Sequence, residues 1–175
     1  MAERGDLDLA LRSYDLAEQF DPDVPRLAYN RGIALGRKGE HEAALLLFRR
    51  AVAEEPDYGP AHGNLAWVLM ELDRQAEALE EIEEALVLNG ANPVDLMNRG
   101  LIHLLSGRPR LASEDFELIT RLAPDNARAH YHLGNALEDR GKPRDALVPY
   151  NRAAELGYTP AKEALDRLFA GASDR

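Results

Sequence analysis

Few side chains in this 175-residue sequence could perform chemistry, and their spacing limits what that chemistry could be. Cysteine is absent, which removes disulfides, thiolate zinc sites and thiol nucleophiles. His130 and His132 stand two apart; on a helix they would point to different sides and could not share a metal ion. His62 and His130 hold equivalent places in a longer period and His103 stands alone, so packing roles are expected for all three. No serine–histidine–acid set assembles by spacing, and no glycine-rich phosphate loop follows a strand, because no strand is expected. No catalytic residue, metal ligand or cofactor is therefore assigned. What remains is amide chemistry. Asn30, Asn64 and Asn98 recur every 34 residues, with His132 on the next beat. An asparagine amide carries both donor and acceptor, so a row of them could hold the backbone of an extended peptide without reading its side chains. The alternative is that each amide bonds a neighbouring helix. The sequence leaves both open.

The same interval organises the rest of the chain. Closing prolines fall at Pro22, Pro56 and Pro124, with Gly90 on the missing beat. Glycines before a turn fall at Gly5, Gly39, Gly107 and Gly141, with Asp73 between. Small residues fall at Ala10, Ala44, Ala78, Ala112 and Ala146, and bulky ones four later at Tyr14, Phe48, Ile82, Phe116 and Tyr150. A last series runs Ala17, Ala51, Ala85, Ile119 and Ala153. Series held in register at such a period mean one supersecondary unit repeated.

The second and fifth repeats carry the fullest pattern: Gly32, Leu35, Gly39, Ala44, Leu45, Phe48, Ala51 and Pro56, then Leu133, Gly134, Leu137, Gly141, Ala146, Leu147, Tyr150 and Ala153. This pattern resembles the tetratricopeptide repeat, from about Gly5 to Pro160. The resemblance implies an all-α, right-handed solenoid of helix–turn–helix units, each an A and a B helix. The expected division is 1–24 (a partial first repeat, helix B only), 25–58, 59–92, 93–126, 127–160, and a capping helix with tail over 161–175. In the second repeat, helix A is expected over about Arg26 to Lys38 and helix B over about Glu40 to Glu54. Pro109 and Pro143 suit the first turn of a B helix.

Three departures from the pattern have structural consequences. The third repeat lacks both the turn glycine and the closing proline, so looser ends are expected. Ile119 replaces a small residue and should push its helix pair apart. Pro149 lies inside a B helix and should kink it. After Pro160, Ala164, Leu165, Leu168 and Phe169 form the apolar face of a cap, expected over Ala161 to Phe169. At the other end, a helix over about Asp6 to Phe20 presents Leu7, Ala10, Leu11 and Tyr14 toward a missing partner helix. Leu7, Leu11 and Tyr14 are accordingly read as an oligomerisation face, which a second copy could cover, or as the exposed edge of a fragment.

The formal charge of −10 argues against nucleic acid and against an anionic membrane surface, and no apolar run is long enough to span a bilayer. A cytoplasmic location is favoured over a periplasmic one, although the residues do not fix the compartment. The expected partner is thus a protein or peptide.

The resemblance places a concave wall on the A helices. There the sequence offers Tyr29, Asn30, Ile33, Asn64, Trp67, Met70, Met97, Asn98, Leu101, Arg128, His132 and Asn135 as partner-binding residues. The wall is apolar, aromatic and rich in methionine, which adapts to irregular partners, and tryptophan is a frequent interface anchor. Leu105 is expected to pack between A helices instead, and for Ile33 that alternative stays open beside its place on the wall. Glu80, Glu81, Glu83 and Glu84 read as a solvated outer face. Family members that grip a terminal carboxylate use a lysine at the fifth repeat position. Tyr29, Gly63, Met97 and Tyr131 stand there, so that clamp is not expected. The reading is a non-catalytic adaptor that binds a peptide segment or helix in its groove. The alternatives are a self-assembling scaffold and a regulatory part of a larger enzyme.

Overall fold

The computed structural model describes residues 2–21, 24 and 26–173, and these form ten helices without a strand. They are α1 (Ala2–Phe20), α2 (Leu27–Lys38), α3 (His41–Glu54), α4 (Gly59–Glu71), α5 (Gln75–Asn89), α6 (Pro93–Leu105), α7 (Pro109–Leu122), α8 (Ala127–Asp139), α9 (Pro143–Glu155) and α10 (Thr159–Ser173). The chain divides into two compact units, Met1–Gly90 and Ala91–Arg175. The first holds α1–α5 and the second α6–α10. Pro22 and Pro25 lie outside the described residues.

Each repeat turns from its A helix to its B helix in the same way. Gly39, Gly107 and Gly141 take the left-handed conformation, with φ of 86°, 66° and 72°. At each turn the last carbonyls are closed by two backbone bonds. Gly39 N donates to Gly36 O at 3.0 Å and Glu40 N to Leu35 O at 2.9 Å, and the pattern repeats at Gly107/Arg108 and Gly141/Lys142. The third repeat does not loosen at this point. Asp73 adopts φ 57°, and Asp73 and Arg74 make the same two bonds at 3.1 and 2.9 Å. Aspartate tolerates this conformation better than most residues with a side chain. Gly5, by contrast, lies inside α1, so the expected turn at that beat does not form.

Within the pairs, small and large positions fit one another. Ala44, Ala78, Ala112 and Ala146 are fully buried, as are Phe48, Ile82, Phe116 and Tyr150. The aromatic rings need a glycine opposite. A Cβ on Gly32 would come 2.8 Å from Phe48 and one on Gly100 2.5 Å from Phe116, and Tyr150 crowds Gly134 in the same way. In the third repeat, where isoleucine replaces the ring, the equivalent residue is the buried Ala66. Ile119 is fully buried, and α9 continues through a buried Pro149.

In the second unit, buried Asp115 receives the guanidinium fork of Arg99. Arg99 Nη2 donates to Oδ1 at 2.5 Å, and Nε lies 3.1 and 3.2 Å from Oδ2 and Oδ1. A carboxylate taken out of water beside a partly exposed guanidinium needs such a geometry to offset its lost hydration. The net charge is distributed unevenly. Residues 1–90 carry 9 basic and 19 acidic side chains, and residues 91–175 carry 12 of each.

The two ends differ from expectation. Leu7, Ala10, Leu11 and Tyr14 are half-buried, with α1 packed on α2, rather than bare. The exposed apolar side chains of α1 are Leu9, Leu16 and Phe20, at 61%, 54% and 88%. α10 begins and ends beyond the expected cap. It buries Ala161, Ala164 and Leu165 against the α9 core, while Phe169 is largely exposed.

Candidate partner-binding site

In the first unit the wall residues come from α2 and α4. Trp67 is half-buried, its edge against the His41 ring at 5.7 Å. It also lies over Gly36, where a Cβ would sit 2.6 Å from the indole. The equivalents of Gly36 in later repeats are Met70, Leu104 and Glu138, so this notch for an indole occurs once in the series. Nothing in the periodicity singles out Gly36, and its importance is visible only in the packing. Ile33 and Met70 are half-buried and Asn30 is exposed. Tyr29 is held edge-on between Phe48, at 6.0 Å, and Tyr58, at 5.1 Å. Its burial pushes the phenol above its ordinary pKa. Asn64 answers the question of the amides for its own position. Its Nδ2 donates to Pro60 O, one turn back on α4, at 2.9 Å and to the Tyr29 hydroxyl on α2 at 3.1 Å, so one amide proton joins two helices and the other stays within its own.

In the second unit, Asn98 and Leu101 on α6 are half-buried and Arg128 on α8 is exposed. Met97 does not belong to an open wall, because only 9% of its surface is accessible. Leu105 reverses its expected role and is 58% exposed. Asn135 lies beside the core: its Oδ1, at 2.7 Å, and a Glu138 carboxylate oxygen, at 2.5 Å, are two acceptors for the one proton of the Tyr150 hydroxyl. That carboxylate and burial together hold the Tyr150 phenol far above its ordinary pKa, burial being the larger cause.

His132, counted among the wall residues, stacks on buried Phe116 at 5.6 Å. Burial, and then the Arg128 charge, pull its imidazole down to about 4. The folded chain holds His132 neutral where the unfolded chain is already protonated, so its contribution is complete above about pH 6.5 and is lost as pH falls toward 4. The expected loss is on the order of 2–3 kcal/mol. Urea unfolding at pH 7 and pH 4.5 should show it in the wild type. His132→Asn, which installs the residue of the earlier repeats, should reduce the difference between the two pH values. An unchanged difference would remove His132 as its source.

His62, His103 and His130 are held by internal contacts. His62 Nε2 faces Pro56 O at 2.9 Å and His130 Nε2 faces Pro124 O at 2.9 Å, the same bond to a closing proline two repeats apart. His62 Nδ1 also meets Glu81 at 2.7 Å, which takes Glu81 out of the solvated acidic face, while Glu80, Glu83 and Glu84 remain exposed. His103 is buried, with Nε2 4.0 Å from Asp115. Among the described residues, no three metal-binding side chains of the His, Cys, Asp and Glu types converge. No described helix is long and apolar enough to cross a membrane.

Two tetratricopeptide-repeat family models match the chain, one over residues 35–93 and the other over 2–60 and 97–169. The chain belongs to the tetratricopeptide repeat family. Human tetratricopeptide repeat protein 13 is 29% identical over 169 residues, which are 93% of this chain and 20% of that protein. MamA from Desulfovibrio magneticus RS-1 matches in structure with a TM-score of 0.81 at 22% identity, over 89% of this chain and 88% of that one. YrrB, described as a TPR protein with an unusual peptide-binding site, matches with a TM-score of 0.78 at 23% identity, over 93% and 84%. At such identities the structural likeness establishes the fold. The chain spans about a fifth to a third of the curated relatives it matches. Tetratricopeptide-repeat proteins generally mediate protein–protein interaction, and their repeat is typically a non-catalytic module.

Proposed function

We propose that this tetratricopeptide-repeat chain is a non-catalytic adaptor that binds a peptide segment or helix of a partner protein on the open faces of its A helices. Trp67 carries the reading. A large indole held half-open, in a notch that only Gly36 provides, is the kind of rigid aromatic side chain that anchors interfaces. Asn30, Ile33 and Met70 come from the same two helices and supply an amide, a stiff branched apolar surface and an adaptable thioether. Asn64 contributes through its helix bond to Tyr29, which fixes the wall, rather than through contact with the partner backbone.

The test uses peptides selected from a random display library on the intact chain. Their binding should shift the Trp67 emission to the blue. Trp67→Ala should weaken binding by at least about 2 kcal/mol, the scale of an interface hot spot, with helicity retained. Selected peptides whose affinity is indifferent to Trp67→Ala would remove this anchor.

A second reading, a scaffold assembled from copies of the chain, is favoured by the exposed Leu9, Leu16 and Phe20 on α1. Light scattering across a concentration series should then show association that Leu16→Glu with Phe20→Glu abolishes without loss of helicity. A wild type that stays monomeric at high micromolar concentration would end this reading.

A further inference from the structure

The second unit contains a pocket of about 420 Å³ lined by Leu104, Tyr131, Asn135, Glu138, Asp139 and Arg167, from α6, α8 and α10. It contains wall residue Asn135, but the other lining residues give it a chemistry of its own. We propose that this pocket receives a basic side chain of the partner, an arginine or lysine flanked by apolar residues. The proposal rests on the adaptor reading and names the partner's chemistry at a place separate from Trp67.

Three observations carry it. The first is an apolar surface that suits the stem of a long basic side chain. Leu104 and Tyr131 are half-buried, and Tyr131 is fixed by rings on three sides, His132 at 5.3 Å, Tyr158 at 5.1 Å and Tyr150 at 5.8 Å. Lysine and arginine lay their methylenes on such surfaces and keep the charge at the rim. The second is the charge at that rim. Glu138 and Asp139 face a single cation, Arg167, and Asp139 makes no ion pair among the described residues. The third is what already occupies the position. Arg167 reaches in from α10 and binds Glu138 at 2.5 Å, yet its side chain is 65% exposed. The pocket therefore accepts a guanidinium, and the resident one is held from the solvent side, where it can swing away. An anionic side chain would meet Asp139 unfavourably, and a neutral apolar one would leave that carboxylate unmatched.

The same display selection on the intact chain supplies the probes, each resynthesised with its arginine replaced by citrulline, a neutral side chain of the same shape. Selected peptides should carry arginine or lysine next to apolar residues, and citrulline should weaken them about tenfold, or 1.4 kcal/mol. Asp139→Asn should remove most of that discrimination. Arg167→Ala should strengthen the arginine peptides by about threefold or more, because it removes a competing cation, whereas a pocket wall that merely touches the partner would lose affinity. Circular dichroism of both exposed-site variants checks that the fold is kept. Peptides without a basic residue, an unaffected citrulline form, or weaker binding to Arg167→Ala would each overturn the proposal. In those cases a dependence on Trp67 would leave the adaptor reading standing, whereas a selection that yields no binding peptide would overturn both.

Discussion

Phe48→Ala should lower the stability of the chain by about 3–5 kcal/mol, the cost of emptying a core phenylalanine site. The upper part of the range is expected, for a structural reason. Phe48 is fully buried, and its ring lies against Gly32, which has no side chain to move into the hole. The neighbouring Ala44 is fully buried and carries only a methyl group, so it cannot fill the hole either. Natural domains are stable by only about 5–15 kcal/mol, so the first unit should be largely compromised. Urea unfolding followed by circular dichroism measures the loss, and a change below about 1 kcal/mol would contradict the packing described for the α2–α3 pair.

A comparable effect is expected from Arg99→Leu. The substitution leaves Asp115 buried without its guanidinium fork, and breaking a buried pair from one side costs about 3–5 kcal/mol; because Arg99 is partly exposed, about 3 is the better expectation. The double variant Arg99→Leu with Asp115→Leu should recover most of that loss. It installs leucines that equivalent positions already hold, Leu133 for Arg99 and Leu47 for Asp115. Replacing a buried pair with matched apolar residues is often neutral or stabilising. A double variant as unstable as the single would mean that Arg99 acts through something other than its charge on Asp115.

The architecture was legible because helix pairs repeat their packing chemistry at fixed intervals. Gly39, Gly107 and Gly141 announced their turns, and the alanine and bulky series announced the seams. Gly5 misled because a glycine permits a turn without requiring one, and α1 runs straight through it. The candidate site was harder to read, since facing outward at one position of an A helix depends on rotation by a fraction of a turn. Leu105 shows that a usable signal existed. Its equivalents are Arg37, Glu71 and Asp139, all exposed, and three charged counterparts mark the position as solvent-facing whatever residue stands there. Met97 shows the converse. Its equivalents are Tyr29, Gly63 and Tyr131, two half-buried rings and a buried glycine, which is the composition of a seam. The partner of Asn64 could not be read from spacing, because Tyr29 lies on a different helix and the bond depends on how the two helices meet.

The division of charge means that the average over the whole chain describes neither half. The residues of the first unit behave as a polyanion, with like charges that repel one another whenever counterions are scarce. Those of the second balance and gain little from shielding. Added electrolyte, with a screening length of about 10 Å at 0.1 M, should therefore firm the first unit and leave the second nearly indifferent. In dilute buffer the same asymmetry gives melting a direction along the chain, beginning within α1–α5.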